Sequence, residues 1–226
     1  KGWYRLRLDG SAVPAGKRHI IEFEAVGNIA DLWVNGQHVG SHAGAFSRFR
    51  FDLTDHLDLA GSNLIVLRAD NSAPKPGSST QHVIPLDGDF FIHGGIYRPA
   101  RLLHVAPSHI ALDDFGGPGV YAAPTIGSDG AGRLAVRVKL TGAATGQNLV
   151  ALLRDAEGRT VAETTTPLTT GQYDAALTLQ VAAPRRWNGR ADPHLYRLET
   201  RLADAETALD SVTVPVGFRE FRIDPN

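Results

Sequence analysis

The residues in this chain best suited to chemistry lie in Ile84-Pro85-Leu86-Asp87-Gly88-Asp89-Phe90-Phe91-Ile92-His93-Gly94-Gly95-Ile96-Tyr97-Arg98. Two carboxylates, an aromatic pair and a Gly-Gly step fall within one short stretch. An ionised carboxylate only accepts hydrogen bonds, so Asp87 or Asp89 could take hydroxyl donors from a ligand. Phe90 and Phe91 would supply an apolar face, and Gly94-Gly95 permits backbone conformations closed to other residues. Aspartates also cap loops, and on the residues alone that reading of Asp89 stays open.

Other candidates are weaker. Glu22 and Glu24 are paired carboxylates, the residue type glycosidases use. At i and i+2 on an alternating segment they share one polar face, which reads as a solvated strand surface. His38, His42 and His56 match no compact metal-ligand spacing and have no acidic or thiol partner to complete a site. The chain has no cysteine, which excludes disulfides, thiolate metal sites and cysteine catalysis.

The elements that would position these residues are strands. Trp3–Leu8 alternates, with Tyr4, Leu6 and Leu8 expected on a half-buried face, and Arg18–Val26 alternates likewise. Asn35-Gly36 between β-rich flanks predicts a hairpin, because a tight I′ turn needs positive φ at both central residues. Phe46–Phe51, Leu64–Ala69 and Ile96–Val105 read as further strands, and Asp52–Leu57 as a capped helical turn. Residues 70–88 have no periodicity, and a connection that long inside a compact domain is usually functional or disordered. Near Ala106-Pro107 the texture changes to short, evenly spaced strands: Ile110–Asp113, Arg133–Leu140, Leu149–Arg154, Tyr173–Val181, Leu195–Leu202 and Ala208–Val214. That spacing is the pattern of an immunoglobulin-like sandwich.

With 42% hydrophobic and 21% charged residues, 226 residues carry a real core, and 24 glycines with 13 prolines suit short strands and many turns. A formal net charge of −1 gives no electrostatic footprint for nucleic acid. No apolar run approaches the roughly 20 residues that span a bilayer. The chain opens on Lys1 and contains no methionine, which reads as a processed form or a fragment. Compartment is left open between periplasmic or secreted and cytoplasmic, and homo-oligomerisation is left open too.

Several motifs together resemble family 2 glycoside hydrolases. Trp33-Val34-Asn35-Gly36, Phe51-Asp52-Leu53-Thr54-Asp55, Asn63-Leu64-Ile65-Val66, Asp70-Asn71-Ser72 and Gly94-Gly95-Ile96-Tyr97-Arg98 follow the order and spacing of that family's sugar-binding domain. Pro184-Arg185-Arg186-Trp187, Asp192-Pro193-His194-Leu195-Tyr196 and Val216-Gly217-Phe218-Arg219 resemble its second domain and the strand leading out of it. The resemblance implies an all-β chain: a galactose-binding-like jelly-roll sandwich over 1–106, an immunoglobulin-like sandwich over 107–219, and at 220–226 the start of a linker to a (β/α)₈ barrel. It further implies the non-catalytic N-terminal part of a retaining exo-glycosidase acting on terminal β-galactosides, a preference to which Asp113–Tyr121 adds. A β-glucuronidase, a β-mannosidase and a stand-alone carbohydrate-binding or adhesion module are the alternatives, and a structural spacer is a further class.

On that resemblance the catalytic carboxylates belong to the barrel, so this chain alone is expected to be inactive, and none of Glu157, Glu163, Glu199 or Glu206 is recruited. One residue carries over: Asp89, six before Gly95, matches the aspartate that the jelly roll lends to the sugar pocket. With the motif behind it, binding is preferred over loop capping. The implied partners are a β-galactoside and, within the polypeptide, the barrel. No cofactor is expected in this chain, although the whole enzyme's pocket allows a monovalent or divalent cation.

Overall fold

The computed structural model describes residues 1–83, 92–205 and 207–221. It divides into two compact units, Lys1–Ala106 and Pro107–Asn226. The described residues contain strands and short 3₁₀ turns and no α-helix.

The first unit contains β1 (Gly2–Asp9), β2 (Arg18–Phe23), β3 (Val26–Gly27), β4 (Ile29–Val34), β5 (Gln37–Ala43), β6 (Phe49–Asp52), β7 (Ser62–Asp70), β8 (Gly95–Ile96) and β9 (Ala100–Val105). One sheet runs β1-β7-β4-β5 and another β6-β2-β9, with the short pair β3-β8 between chain segments. Alternation drives the layering: in β7 Asn63, Ile65, Leu67 and Ala69 are buried while Leu64, Val66 and Arg68 between them are half-exposed. Ile65, Leu67, Leu32 and Val34 pack with Phe23, Phe49 and Leu53 in one cluster. Each fully buried Leu of this kind contributes about 1.5–3 kcal/mol.

Asn35 and Gly36 adopt the positive φ the hairpin requires, 52° and 82°. The Asn35 side chain does more than turn the chain. Its Nδ2 donates to His56 O at 3.1 Å and Asn63 Oδ1 at 2.8 Å, and its Oδ1 accepts from Leu64 N at 2.9 Å. On the second sheet, His19 faces His104 with their Nδ1 atoms 2.9 Å apart. Burial first, then the neighbouring imidazole, pushes His19 below the ordinary histidine value, against the opposing pull of Asp52.

Four expectations need correction here. The Arg18–Val26 strand is broken after Phe23: Glu24 N donates to Pro99 O at 3.0 Å, and Val26-Gly27 then pairs with β8 instead. Ile96–Val105 is likewise two strands, interrupted at 97–99, where Pro99 has no amide to donate. On the face of β1 expected to be half-buried, Tyr4 and Leu6 are 41% and 57% exposed, and only Leu8 is half-buried, packed against the core cluster. Among the described residues β1 is an edge strand, paired only to β7. Glu22 is not solvated either. It is 6% exposed and bonded to Arg50 Nε at 2.8 Å, with Arg101 and Arg48 at 3.5 and 3.8 Å, because three arginines converge on its face of β2.

The second unit contains β10 (His109–Ile110), β11 (Val120–Ile126), β12 (Gly132–Thr141), β13 (Gln147–Arg154), β14 (Thr160–Pro167), β15 (Asp174–Val181), β16 (Tyr196–Asp204) and β17 (Thr207–Val216). Strand β12 pairs with β10, β11 and β15, and the second sheet runs β14-β13-β16-β17. The two sheets enclose a core that includes Leu134, Leu149, Leu153, Leu198, Leu202 and Phe218. The architecture is a jelly roll followed by an immunoglobulin-like sandwich. Strands β11 and β14 were absent from the sequence reading.

Candidate functional site

The loop bearing the candidate residues leaves β7 at Asp70 and returns at Gly95. Residues 84–91, and with them Asp87, Asp89, Phe90 and Phe91, lie outside the described residues. What the structure shows is how both ends of the loop are held.

At the outgoing end, Asp70 is fully buried. Its Oδ1 accepts from Ser72 N at 3.0 Å and Ser72 Oγ at 2.6 Å, and its Oδ2 from Ser79 Oγ at 2.9 Å. Lys1 Nζ stands 3.3 Å from the same Oδ2. Burial alone would raise this carboxyl, but the bonds from Ser72, Ser79 and Lys1 outweigh it and hold Asp70 far below the ordinary aspartate range. Beyond it, Gly77 N donates to Gln81 Oε1 at 2.8 Å, and Ser78 Oγ lies 3.1 Å from Thr80 Oγ1.

At the returning end the glycines permit close approach. Gly95 has φ +80°, and a Cβ there would stand 2.2 Å from Tyr4 Oη. A Cβ on Gly94 would come within 2.4 Å of Asn71 Nδ2, which ties this end back to the start of the loop. Tyr97 then donates its hydroxyl to Ala45 O, and the Arg98 guanidinium lies 5.6 Å from the Tyr97 ring centre, with Nη1 3.4 Å from Phe46 O. These contacts give Gly94-Gly95 and Arg98 structural roles at the returning end of the loop.

Two residues escaped sequence reasoning. Asp70 was quoted only as part of a motif, although Asp-x-Ser is itself the signal of a side chain that captures its own backbone two residues on. Asn28 gave no signal. It is fully buried and its side-chain amide has no hydrogen-bond partner among the described residues, while its backbone N donates to Asp70 O at 3.0 Å and its O accepts from Gly44 N at 2.9 Å.

The histidines are dispersed. His38 Nε2 lies 3.2 Å from Ser41 Oγ, and His56 Nδ1 lies 3.2 Å from Gln37 Oε1. His42 stacks on Phe49 at 4.1 Å, and burial lowers its pKa. Among the described residues no three His, Asp or Glu side chains converge to hold a metal ion. Of the glutamates set aside, Glu199 bonds Arg201 and Arg154 and Glu157 bonds Arg159.

Comparison with known proteins matches residues 1–106 to the glycosyl hydrolases family 2 sugar binding domain and residues 118–219 to a second model of glycosyl hydrolases family 2. The chain belongs to glycosyl hydrolase family 2. A β-glucuronidase of Bacteroides fragilis is 31% identical, over 93% of this chain and 30% of its own length. A β-galactosidase of Bacteroides ovatus is also 31% identical, over 99% of this chain and 25% of its own. The crystal structure of a Bacteroides uniformis β-glucuronidase superposes with a TM-score of 0.85 at 28% identity, covering 98% of this chain and 26% of that one. The chain thus spans about a quarter to a third of the length of these relatives. It carries the family's sugar-binding and immunoglobulin-like domains, and the (β/α)₈ barrel is not within these residues.

Proposed function

We propose that this chain is the non-catalytic N-terminal part of a retaining exo-glycosidase that hydrolyses terminal β-D-galactosides, with Asp89 forming one wall of the sugar pocket. The observation that carries the reading is the anchoring of its loop at both ends. Asp70 with its four donors and the Gly94-Gly95 contacts with Asn71 and Tyr4 hold the two roots. A carboxylate that must meet hydroxyls within about 3 Å gains from roots that do not shift. The chemistry of Asp89 is binding, since it accepts hydrogen bonds from sugar hydroxyls. Acid/base and nucleophilic carboxylates, about 5–5.5 Å apart in a retaining enzyme, would come from the barrel.

A β-glucuronidase is the second reading, favoured by the relatives that bear that name. Galactosides and glucuronides both offer ring hydroxyls to Asp89. They differ in the configuration at C4 and in carrying a hydroxymethyl or a carboxylate at C5, so other residues would set the preference.

Both readings are tested in the longer polypeptide by comparing kcat/KM on 4-nitrophenyl β-D-galactoside and β-D-glucuronide, for the native sequence and for Asp89→Ala. Leaving hydroxyls unpaired in a closed pocket should reduce kcat/KM by about 100-fold or more on the preferred substrate. Unchanged kinetics would remove Asp89 from the pocket and favour a purely structural role. Binding of galactosides by the 226-residue chain alone, seen by calorimetry, would favour a stand-alone module.

A further inference from the structure

We propose that the outer face of the β11-β12-β15 sheet is a separate, shallow binding site for a carboxylated pyranose, such as a uronic acid residue of an oligosaccharide. It lies on the second unit and does not depend on Asp89.

Three alanines make the floor. Strand register sets Tyr121, Arg137 and Ala176 in one row across the sheet, and Ala123, Ala135 and Thr178 in the next. Ala123 and Ala176 are exposed and Ala135 is half-exposed. Alanine is depleted in strands, and on a solvent-facing sheet it removes the height that Thr, Lys or Glu would give. The result is an open depression of about 470 Å³. With strands about 4.8 Å apart and side chains of one face recurring every ~6.6 Å, the trough is ~10 Å across the three strands and ~13 Å along them. Its area of ~130 Å² is far below the roughly 800 Å² that each partner buries in a stable protein interface. A sugar ring fits that size and a folded protein does not.

The walls match such a ring. Tyr121 is 38% exposed, and its hydroxyl donates to Asp114, which fixes the ring as a platform at little further entropic cost. At the other end stands Arg133, with Nη2 3.4 Å from Thr178 Oγ1 and no carboxylate in ion-pair reach among the described residues. Arg137 and Lys139 share one carboxylate, with Asp174 taking Arg137 Nε at 2.9 Å and Lys139 Nζ at 2.7 Å. The trough therefore offers a net positive charge, with Arg133 in no ion pair among the described residues, above an apolar floor. Thr178 and the Arg137–Asp174 pair add hydroxyl-binding atoms. A guanidinium takes a carboxylate through two parallel hydrogen bonds.

The test is an NMR titration of the ¹⁵N-labelled 226-residue chain with methyl β-D-glucuronide and its neutral counterpart, methyl β-D-glucoside. The glucuronide should shift amides of 121–125, 133–137 and 174–178 saturably, with the glucoside about tenfold weaker or worse. Arg133→Gln should reduce the glucuronide to the level of the glucoside, and Ala135→Leu should abolish both responses by filling the floor. Absence of shifts on this face, shifts only elsewhere, equal response to the two sugars, or a full response retained by Arg133→Gln would each overturn the proposal. So would sodium acetate reproducing the same shifts, since the carboxylate alone would then account for them.

Discussion

Replacing Asp70 by Asn tests whether the loop root is held as described. The asparagine Oδ1 can keep both bonds from Ser72, but an amide NH₂ then stands where Oδ2 accepted from Ser79 and faced Lys1. Two charge-assisted interactions at Oδ2 are lost, and the two from Ser72 become neutral ones. With charged hydrogen bonds at ~1.5–3 kcal/mol and neutral ones at ~1, and with Lys1 half in solvent, the loss should be about 2–4 kcal/mol. For a unit of this size that lowers Tm by roughly 10 °C or more. Trp3 and Trp33 lie in the first unit and Trp187 in the second, so fluorescence in a Trp187→Phe background follows the first transition alone, against circular dichroism that follows both. Only the first should move, and the 71–83 segment should become the first site of limited proteolysis. The sign with pH follows from a folded-state pKa depressed below 3.8. The contribution of the carboxylate is complete above that value and fades as pH falls below it, so the native advantage over Asp70→Asn should shrink between about pH 4 and pH 2. A loss under about 1 kcal/mol at pH 7, or one of equal size at pH 2.5, would refute this account of the anchor.

Two further outcomes follow from the same unit. His19 has its pKa depressed from 6.5 by burial and by His104, so its contribution is complete above about pH 6.5 and declines as pH falls. His104→Phe should cost about 1–3 kcal/mol in urea unfolding at pH 7 by leaving His19 Nδ1 unpaired, and most of the decline should persist because burial, the larger cause, remains; a decline abolished outright would contradict it. Gly95→Ala must place a Cβ 2.2 Å from Tyr4 Oη at φ +80°, and should destabilise the first unit by more than about 1 kcal/mol in the same assay. Tyr4→Phe should relieve part of that loss, because the clashing oxygen is gone.

The hairpin at Asn35-Gly36 was legible because the turn type admits few residues, and the sandwich strands β12, β13, β15 and β16 because a two-residue period marks each. Strands β11 and β14 were not. Val120–Ile126 carries Pro124, and Thr160–Pro167 is half threonine; among the described residues both are sheet-edge strands with little inward apolar signal. Glu22 was misread for a different reason. Periodicity assigns a face, but it cannot foresee that Arg48, Arg50 and Arg101 arrive from other segments to cover that face. The exposure of Tyr4 and Leu6 has the same origin, since burial depends on what packs against a strand and not on its own pattern. At the candidate site, the motif pointed to Asp89; the Asp70–Ser72 turn was readable locally, while the bonds from Ser79 and Lys1 emerged only from the fold.

The bonds made by Asn35 have a consequence for local opening. Hairpin tips ordinarily fray and exchange their amide hydrogens through small openings that leave the rest of a domain intact. Here the tip is joined to His56, Asn63 and Leu64, and Asn35 N also donates to Leu64 O at 2.9 Å. Opening the turn therefore means releasing the start of β7, a central strand of its sheet. The tip of this hairpin and the root of that strand form one cooperative unit, so the outermost point of the β4-β5 ribbon is protected by the middle of the sheet.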